Sequence, residues 1–291
     1  MTVTHGPVVI RRRLGWALKQ LRVKRKRQLS EVARLLEVSP SKLSRIETGQ
    51  VEPKYRDVRD LLDVYDAGEA ERTQILEWAN EAKQPGWWQP FAVDVPADLD
   101  FYISLESEAR AISIYSMPIN GLLQTEEYAR AILGSAVPTR TVAELDVLVD
   151  IRMRRQNVLS TGDGHDQTLT LHAVLDESAL LRGPSQGTVM TNQLSALLDH
   201  SDRENVTLQV LPFEAGYTLA SSTFALFEPR ESDDWSVVNV ESTGADAYFD
   251  TPADVAKYRT IWADVVDSSL DPDASRDRIR RVRDRFVSRT T

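Results

Sequence analysis

The chain has 291 residues, of which 42% are hydrophobic and 27% charged, with a formal net charge of −9 and no cysteine. This composition indicates a soluble globular protein of about two domains, and it excludes disulfides, thiolate metal sites and cysteine nucleophiles. No apolar run approaches the ~18 residues of a membrane span, and the N-terminus lacks the apolar core and cleavage site of a signal peptide. We therefore expect a cytoplasmic protein without a membrane partner.

The charge is distributed unevenly along the chain. Residues 1 to 66 carry 15 Lys and Arg against 8 Asp and Glu, and residues 67 to 274 carry 13 against 34. The last 17 residues hold seven Arg and two Asp. A basic front segment favours contact with a polyanion, but a solvated helix face accounts for the same composition. Composition alone does not favour either of these two interpretations.

Helical periodicity favours the first interpretation. In residues 1 to 66 the apolar residues recur at helical spacing in four short segments: Leu14–Leu21, Leu29–Leu36, Leu43–Ile46 and Tyr55–Tyr65. The third helix has Ser39 as its N-cap, Pro40 at its first position and Gly49 at its end. A three-residue turn with one apolar residue, Val38, joins it to the second helix. This pattern predicts a helix-turn-helix whose second helix, Ser39–Thr48, enters the major groove of DNA.

The segment LSEVARLLEVSPSKLSRIETG, residues 29 to 49, resembles the helix-turn-helix of the phage-repressor and xenobiotic-response-element (XRE) regulator family. The resemblance rests on Ala33 at the helix contact, Val38 in the turn and Ile46 in the core. It departs at Leu29, where the family usually has a phosphate-binding Gln, and at Glu37, where a turn Gly is common. It implies a DNA-binding transcriptional regulator.

Ten residues are candidate DNA contacts. The base-reading positions that the resemblance implies fall on Pro40, Ser41, Ser44 and Arg45, and a guanidinium such as that of Arg45 can bond guanine O6 and N7 together. A phosphate contact, or an ion pair with Glu47 or Glu52, is the alternative for Arg45. The remaining candidates contact the phosphate backbone in this hypothesis: Lys26 and Arg27 of the basic run RVKRKR, Gln28, Ser39, Lys42 and Lys54.

A junction separates this domain from the rest of the chain. Residues 66 to 84 still look helical, and the segment PGWWQPF at 85 to 91 interrupts the pattern with two prolines and a glycine. Its aromatic residues Trp87, Trp88 and Phe91 either line an effector pocket or anchor the linker by packing. We take 1–66 as the helix-turn-helix domain, 67–97 as a helical linker and aromatic junction, and 98–291 as a regulatory or partner-binding domain.

The second domain alternates between helical and strand patterns. This predicts a mainly α helix-turn-helix domain followed by an α+β domain. The predicted helices cover residues 98 to 115, 125 to 134, 140 to 160, 186 to 200, 251 to 268 and 274 to 289. The predicted strands cover residues 168 to 175, 205 to 211, 223 to 228 and 235 to 241.

This domain has a resemblance of its own. The segments LESEARAISIYSMPINGLLQTEEYARAIL (105 to 133), RMRRQNVL (152 to 159) and VTLQVLPFEAG (206 to 216) resemble the domain of unknown function that follows the helix-turn-helix in actinobacterial regulators, including WhiJ-like ones. The usual Pro-Gly before LLQT is Asn120-Gly121 here. The resemblance implies a domain that senses or dimerises, often encoded beside a small companion protein that modulates it.

No other motif indicates catalysis or a bound cofactor. The four histidines have no metal-ligand spacing, TGDGHD at 161 to 166 lacks the Gly and Glu of a calcium loop, and phosphate-loop and nucleophile-elbow motifs are absent from the sequence. We expect no enzyme activity, no cofactor and no metal.

Two functional hypotheses follow. In the first, the chain is a sequence-specific regulator that binds a near-palindromic double-stranded operator as a homodimer, with a small companion protein or an effector as a further partner. In the second, the acidic domain is a protein-interaction module (antitoxin-like or companion-binding) or an unrecognised enzyme, and the helix-turn-helix is an accessory.

Overall fold

The computed structural model describes residues 7–49, 51–83, 87–88, 97–136, 140–160, 168–184, 188–230, 236–242 and 246–290. The chain divides into two compact units, Met1–Glu108 and Ala109–Thr291. The first unit is helical and the second combines a sheet with helices, so the predicted fold class is confirmed. No helix in the described ranges combines the length and the apolar character that crossing a membrane requires.

In the first unit, the helices between residues 14 and 79 pack around one apolar core. Among its described residues the helices are α1 (Pro7–Lys24), α2 (Leu29–Leu35), α3 (Pro40–Glu47), α4 (Tyr55–Val64), α5 (Glu69–Glu81) and α6 (Ala97–Glu108). The core residues are those that the helical spacing predicts, including Leu14, Leu18, Val32, Leu43, Ile46, Val58 and Leu62. Packing of amphipathic faces therefore fixes these short helices, which are marginal on their own in water.

The first four helices, α1 to α4, end in tight left-handed turns. Lys26, Glu37, Asp66 and Gly49 have φ angles of 53°, 55°, 48° and 68°. Only one of the four is a glycine, the residue that adopts this conformation without a steric cost. The chain therefore carries backbone strain at three helix ends.

A six-stranded mixed sheet forms the centre of the second unit. Its strands are β1 (Ala109–Ser116), β2 (Thr170–Asp176), β3 (Val206–Leu211), β4 (Phe224–Pro229), β5 (Val237–Val240) and β6 (Ala247–Phe249). They lie in the order β3-β2-β1-β4-β5-β6. β1, β2 and β3 are parallel, whereas β4, β5 and β6 are each antiparallel to their neighbours. The carboxyl ends of β1, β2 and β3 therefore meet at one edge of the sheet.

Helices cover the sheet of the second unit. They are α7 (Glu126–Ala136), α8 (Val142–Arg155), α9 (Ser178–Leu181), α10 (Val189–His200), α11 (Pro252–Asp267) and α12 (Pro272–Thr290). Trp262 and Val265 of α11 pack on Tyr115, Val174 and Phe224 of three neighbouring strands. The edge strand β3 is covered as well, because the backbone N–H of Leu270 donates to the Val210 carbonyl at 2.9 Å.

The predicted helix over residues 98 to 115 is wrong in its second half. α6 ends at Glu108, and residues 109 to 116 form β1 in the interior of the sheet. Ile112 and Ile114 are buried between β2 and β4. β-Branched and aromatic residues favour such a buried strand, and this tertiary pairing overrides the helical pattern continuing from α6. The short strand β6 was also not predicted.

The aromatic junction is described in part. Trp88 is 1% exposed, and its indole N–H donates to the Asp100 carboxylate at 2.6 Å. Its ring meets that of Trp87 edge to face at 5.5 Å. This geometry agrees with the anchoring interpretation of the junction. Phe91 lies outside the described residues, and so does the segment TGDGHD at 161 to 166.

Candidate nucleic-acid interface

The helix-turn-helix lies where the sequence predicts it. α2 ends at Leu35, α3 begins at Pro40, and the turn closes through a 2.9 Å bond from the Val38 N–H to the Ala33 carbonyl. Glu37 adopts the left-handed conformation in this turn. The related regulators commonly have glycine at this position, where Glu37, like any residue with a Cβ, is strained.

The start of α3 is fixed by its cap. The Ser39 hydroxyl oxygen accepts from the Lys42 N–H at 3.1 Å, and Pro40 occupies the first turn, where a missing N–H costs nothing. Both residues are exposed. The Ser39 hydroxyl thus has a structural role in addition to its predicted backbone contact.

One face of α3 is polar and exposed to solvent. Ser41, Ser44 and Arg45 are exposed, while Leu43 and Ile46 on the opposite face are 0% and 2% exposed. Within the described part of the chain, the Arg45 guanidinium has no ion pair, so the alternative pairing with Glu47 or Glu52 does not occur there. Arg45 is free to reach a base edge or a phosphate.

Glu47 has a different role from the rest of α3. Its carboxylate is 3% exposed and accepts from Arg22 Nε at 2.7 Å and Arg22 Nη2 at 2.8 Å. The Tyr65 hydroxyl lies 3.5 Å from the same carboxylate. The bidentate pair raises the pKa of the Arg22 guanidinium, mainly through the hydrogen bonds that it donates to Glu47. Burial, assisted by the Glu47 charge, raises the pKa of the Tyr65 phenol. These three residues tie α3 to α1 and to the end of α4.

Two glycines allow α1 and α3 to approach closely. A Cβ on Gly15 would lie 2.4 Å from the Ile46 carbonyl oxygen, and one on Gly49 would lie 2.6 Å from the Arg12 Cα. Gly49 also requires its positive φ. Sequence reasoning assigned only the helix end to Gly49 and did not single out Gly15 or the Arg22–Glu47 pair. The glycine inside the helical pattern of α1 was the available signal.

The basic run at the end of α1 is only partly available to DNA. Arg22 is bound to Glu47, and Arg25 donates to the Tyr65 carbonyl at 2.7 Å. Arg27 pairs with Glu31 of α2. Lys26 is exposed and, among the described residues, has no ion pair. Lys24 and Arg25 are exposed but also paired, with Glu71 and Asp66. Within the described part of the chain the run therefore contributes one free cation, Lys26, while its other cations are paired.

The remaining predicted contacts lie at helix starts. Gln28 and Lys54 occupy the N-cap positions of α2 and α4, and neither makes a side-chain capping bond. Both are exposed. Lys42 differs, since its ammonium lies 2.6 Å from the Asp57 carboxylate. The structure thus leaves Gln28 and Lys54 available and holds Lys42 in an ion pair.

The second unit contains a buried amide network beneath the LLQT segment. The Gln193 side chain is 0% exposed, accepts from the Thr125 N–H at 2.7 Å and donates to the Leu123 carbonyl at 2.7 Å. Gln156 donates to the carbonyls of Gly121 and Gln124. These bonds satisfy the backbone of the segment and have a structural role. In the described ranges, no group of three His, Asp or Glu residues could hold a metal ion.

Comparison with protein families gives two matches. A family model described as a helix-turn-helix domain matches residues 13–75. A model described as a domain of unknown function (DUF5753) matches residues 99–281, which is more than half of the chain. Searches of curated proteins and of solved structures give no match.

Proposed function

This chain belongs to the family defined by the domain of unknown function DUF5753, and from the helix-turn-helix that precedes this domain we propose that it is a sequence-specific DNA-binding transcriptional regulator. In this proposal α3 enters the major groove, and Pro40, Ser41, Ser44 and Arg45 face the bases. Lys26, Gln28 and Lys54 contact phosphates. The relationship to XRE regulators and to WhiJ-like actinobacterial regulators is part of the proposal.

The observation that carries the proposal is the polar face of α3. The apolar side chains of this helix, Leu43 and Ile46, are buried in the core of the first unit, whereas Ser41, Ser44 and Arg45 are exposed. A capped helix held by a buried ion pair presents these side chains in a fixed geometry. Such fixed geometry is what reading base edges requires.

Binding to DNA from upstream of the protein's own gene tests the proposal. We expect a mobility shift with this DNA that resists competition by a large excess of random duplex. If random duplex competes for binding as well as unlabelled upstream DNA does, sequence-specific recognition at this site is excluded. Such a result would favour the accessory role of the helix-turn-helix.

We propose that the second domain joins two copies of the chain, since one helix-turn-helix reads only a few base pairs and a two-fold axis makes the operator a near palindrome. Exposed apolar residues that follow the carboxyl ends of β1, β2 and β3 along the chain, here called the apolar patch, support this. The patch consists of five side chains that are 43 to 90% exposed: Met117, Leu181, Phe213, Tyr217 and Leu219. Exposed apolar patches of this kind are typical of interaction sites.

Sedimentation of a patch variant tests the dimer. Tyr217 is 90% exposed, so Tyr217→Asp places a charge in the patch without disturbing the core. Val142→Asp is the matched control, because Val142 is 75% exposed on α8 and outside the patch. We expect a dimer for the wild type and the control, and a monomer for Tyr217→Asp. A wild-type monomer at micromolar concentration, both free and on DNA, would contradict the dimer.

Two observations support the second hypothesis. The same apolar patch could receive a small companion protein in place of a second copy. Residues 67 to 274, with 34 acidic against 13 basic residues, favour a basic or amphipathic partner. In the proposal the chain is not an enzyme, and an effector, if present, acts through this domain.

A further inference from the structure

The ion pair between Lys42 and Asp57 lies within the proposed DNA-binding surface. Lys42 is the third residue of α3, on the helix that the proposed function places in the groove, and Asp57 lies in the first turn of α4. The Lys42 ammonium and the Asp57 Oδ2 atom are 2.6 Å apart. A cation on the recognition helix is thus neutralised by the protein itself.

Three features hold this pair together. The Asp57 Oδ2 atom is shielded from solvent and has no hydrogen bond of suitable geometry among the described residues, so the ion pair with the ammonium 2.6 Å away is what offsets its charge. The two side chains as a whole are 38% (Lys42) and 22% (Asp57) exposed. Asp57 also lines a small cleft with Asp60 and with apolar side chains of the α2–α3 turn, α3 and α4, including Val38, Leu43 and Leu61. Apolar surroundings weaken the competition of water for an ion pair. The N-terminus of α4 favours a carboxylate in its first turn.

The other cations on this surface show that the pairing is selective. Among the described residues Lys26, Arg45 and Lys54 have no ion pair, whereas Lys42 and Arg27 are held by Asp57 and Glu31. The protein therefore presents fewer free charges to DNA than its sequence contains. Each cation that reaches a phosphate adds sequence-independent affinity and salt dependence.

We propose that Asp57 restrains phosphate binding by the recognition helix, because it holds the Lys42 ammonium away from the DNA backbone. The proposal rests on the proposed function. Asp57 in this view sets the number of phosphate contacts, and so the salt sensitivity of binding, without taking part in base reading. The ligand whose access it limits is the phosphodiester backbone of double-stranded DNA.

The test is Asp57→Asn in the full chain, a change that keeps the shape of the side chain and removes its charge. We expect this variant to bind random duplex more tightly than the wild type does. The slope of the logarithm of affinity against the logarithm of salt concentration should become steeper by about 0.9, the value for one added phosphate contact. Upstream DNA should gain by a similar factor, because phosphates carry no sequence information.

Two control variants separate release of Lys42 from a general loss of negative charge. Glu52→Gln removes one exposed carboxylate between α3 and α4, and none of the described residues forms an ion pair with it. It should leave the salt slope unchanged. Lys42→Gln combined with Asp57→Asn should return the slope to the wild-type value. Thermal unfolding of each variant checks that the fold is retained.

Two results would overturn the proposal. The first is a salt slope for Asp57→Asn that equals that of the wild type. The second is an equal gain in affinity for random duplex whether Asp57→Asn is made alone or together with Lys42→Gln, because such a gain would come only from the loss of a negative charge that repels DNA. The wild-type protein is measured first. If it binds no duplex, the proposed function fails together with this inference; if it binds and only the Asp57 results fail, the proposed function stands.

Discussion

Glu47 and Arg22 form a bidentate ion pair that joins the end of the recognition helix to the first helix of the chain, with N–O distances of 2.7 and 2.8 Å. The two side chains are 3% and 13% exposed. A pair so shielded from water is strong only while both partners are present, since either charge alone is costly to bury. The orientation of α3 therefore depends on this contact.

We expect Glu47→Leu to destabilise the first unit by about 3 to 5 kcal/mol, because it leaves the Arg22 guanidinium buried without its partner. Urea unfolding followed by circular dichroism, with hydrogen exchange of the α3 amides, measures the effect. The double variant Arg22→Met, Glu47→Leu should recover most of the lost stability, since apolar side chains of similar size replace both charges. A double variant as unstable as the single one would argue against an ion-pair origin.

The sequence predicts the helix-turn-helix well because its signals are local. The apolar spacing of α2 to α4, the Ser39 cap and the Gly49 helix end each depend on residues within one or two turns. Contacts between distant parts of the chain are different. Arg22 and Glu47 are 25 residues apart, and composition gives no sign that one arginine of a basic run turns inward.

The same distinction explains the errors in the second domain. β1 is a strand because it pairs with β2 and β4, whose residues come about 60 and 115 positions later. The Lys42–Asp57 pair likewise depends on how α3 and α4 pack. The sequence therefore predicts the candidate DNA contacts, but it does not show which of their charged side chains are free of ion pairs.

The strained turn between α2 and α3 offers a stabilising substitution. Glu37 has a φ of 55°, so Glu37→Gly should remove the steric strain of the left-handed conformation. Glycine also loses more conformational entropy on folding, which offsets part of this gain. We expect a net increase of about 0.5 to 1 kcal/mol in the free energy of unfolding. Urea unfolding provides the measurement. Glu37→Ala is the control, because it removes the carboxylate and keeps the strain. An equal gain for both variants would point to charge and not to backbone conformation.

His200, at the end of α10, should make the stability of the second unit depend on pH. Burial lowers the pKa of its imidazole, with Arg203 adding to the effect and Asp199 opposing it. The unfolded chain takes up this proton near pH 6.5 and the folded chain only at lower pH, so stability is fully present above pH 6.5 and is lost as the pH falls. His200→Gln should flatten this dependence. Parallel stability curves for wild type and variant between about pH 7.5 and 5 would contradict it.

The free cations of the first unit should act on all DNA sequences alike. Lys26→Ala and Lys54→Ala should each weaken binding to specific and random duplex and reduce the salt slope by about 0.9, since each removes one phosphate contact. Titrations at several salt concentrations measure the slope. Lys257→Ala, which removes an exposed lysine from α11 in the second unit, should leave it unchanged. A wild-type slope in either test variant removes that lysine from the DNA contacts.

Arg45 should act differently from these lysines, because its guanidinium is exposed on the groove-facing side of α3 and unpaired within the described residues. A bidentate bond to guanine contributes to one sequence only, so Arg45→Ala should cost about 1 to 3 kcal/mol on the specific site and far less on random DNA. Parallel titrations of both duplexes at one salt concentration give the difference. Arg45→Lys keeps the charge but cannot form the same planar contact, and should lose most of the discrimination while keeping the affinity for random DNA. Equal losses on both duplexes for Arg45→Ala would make Arg45 a phosphate contact, and base reading would then rest on Ser41 and Ser44.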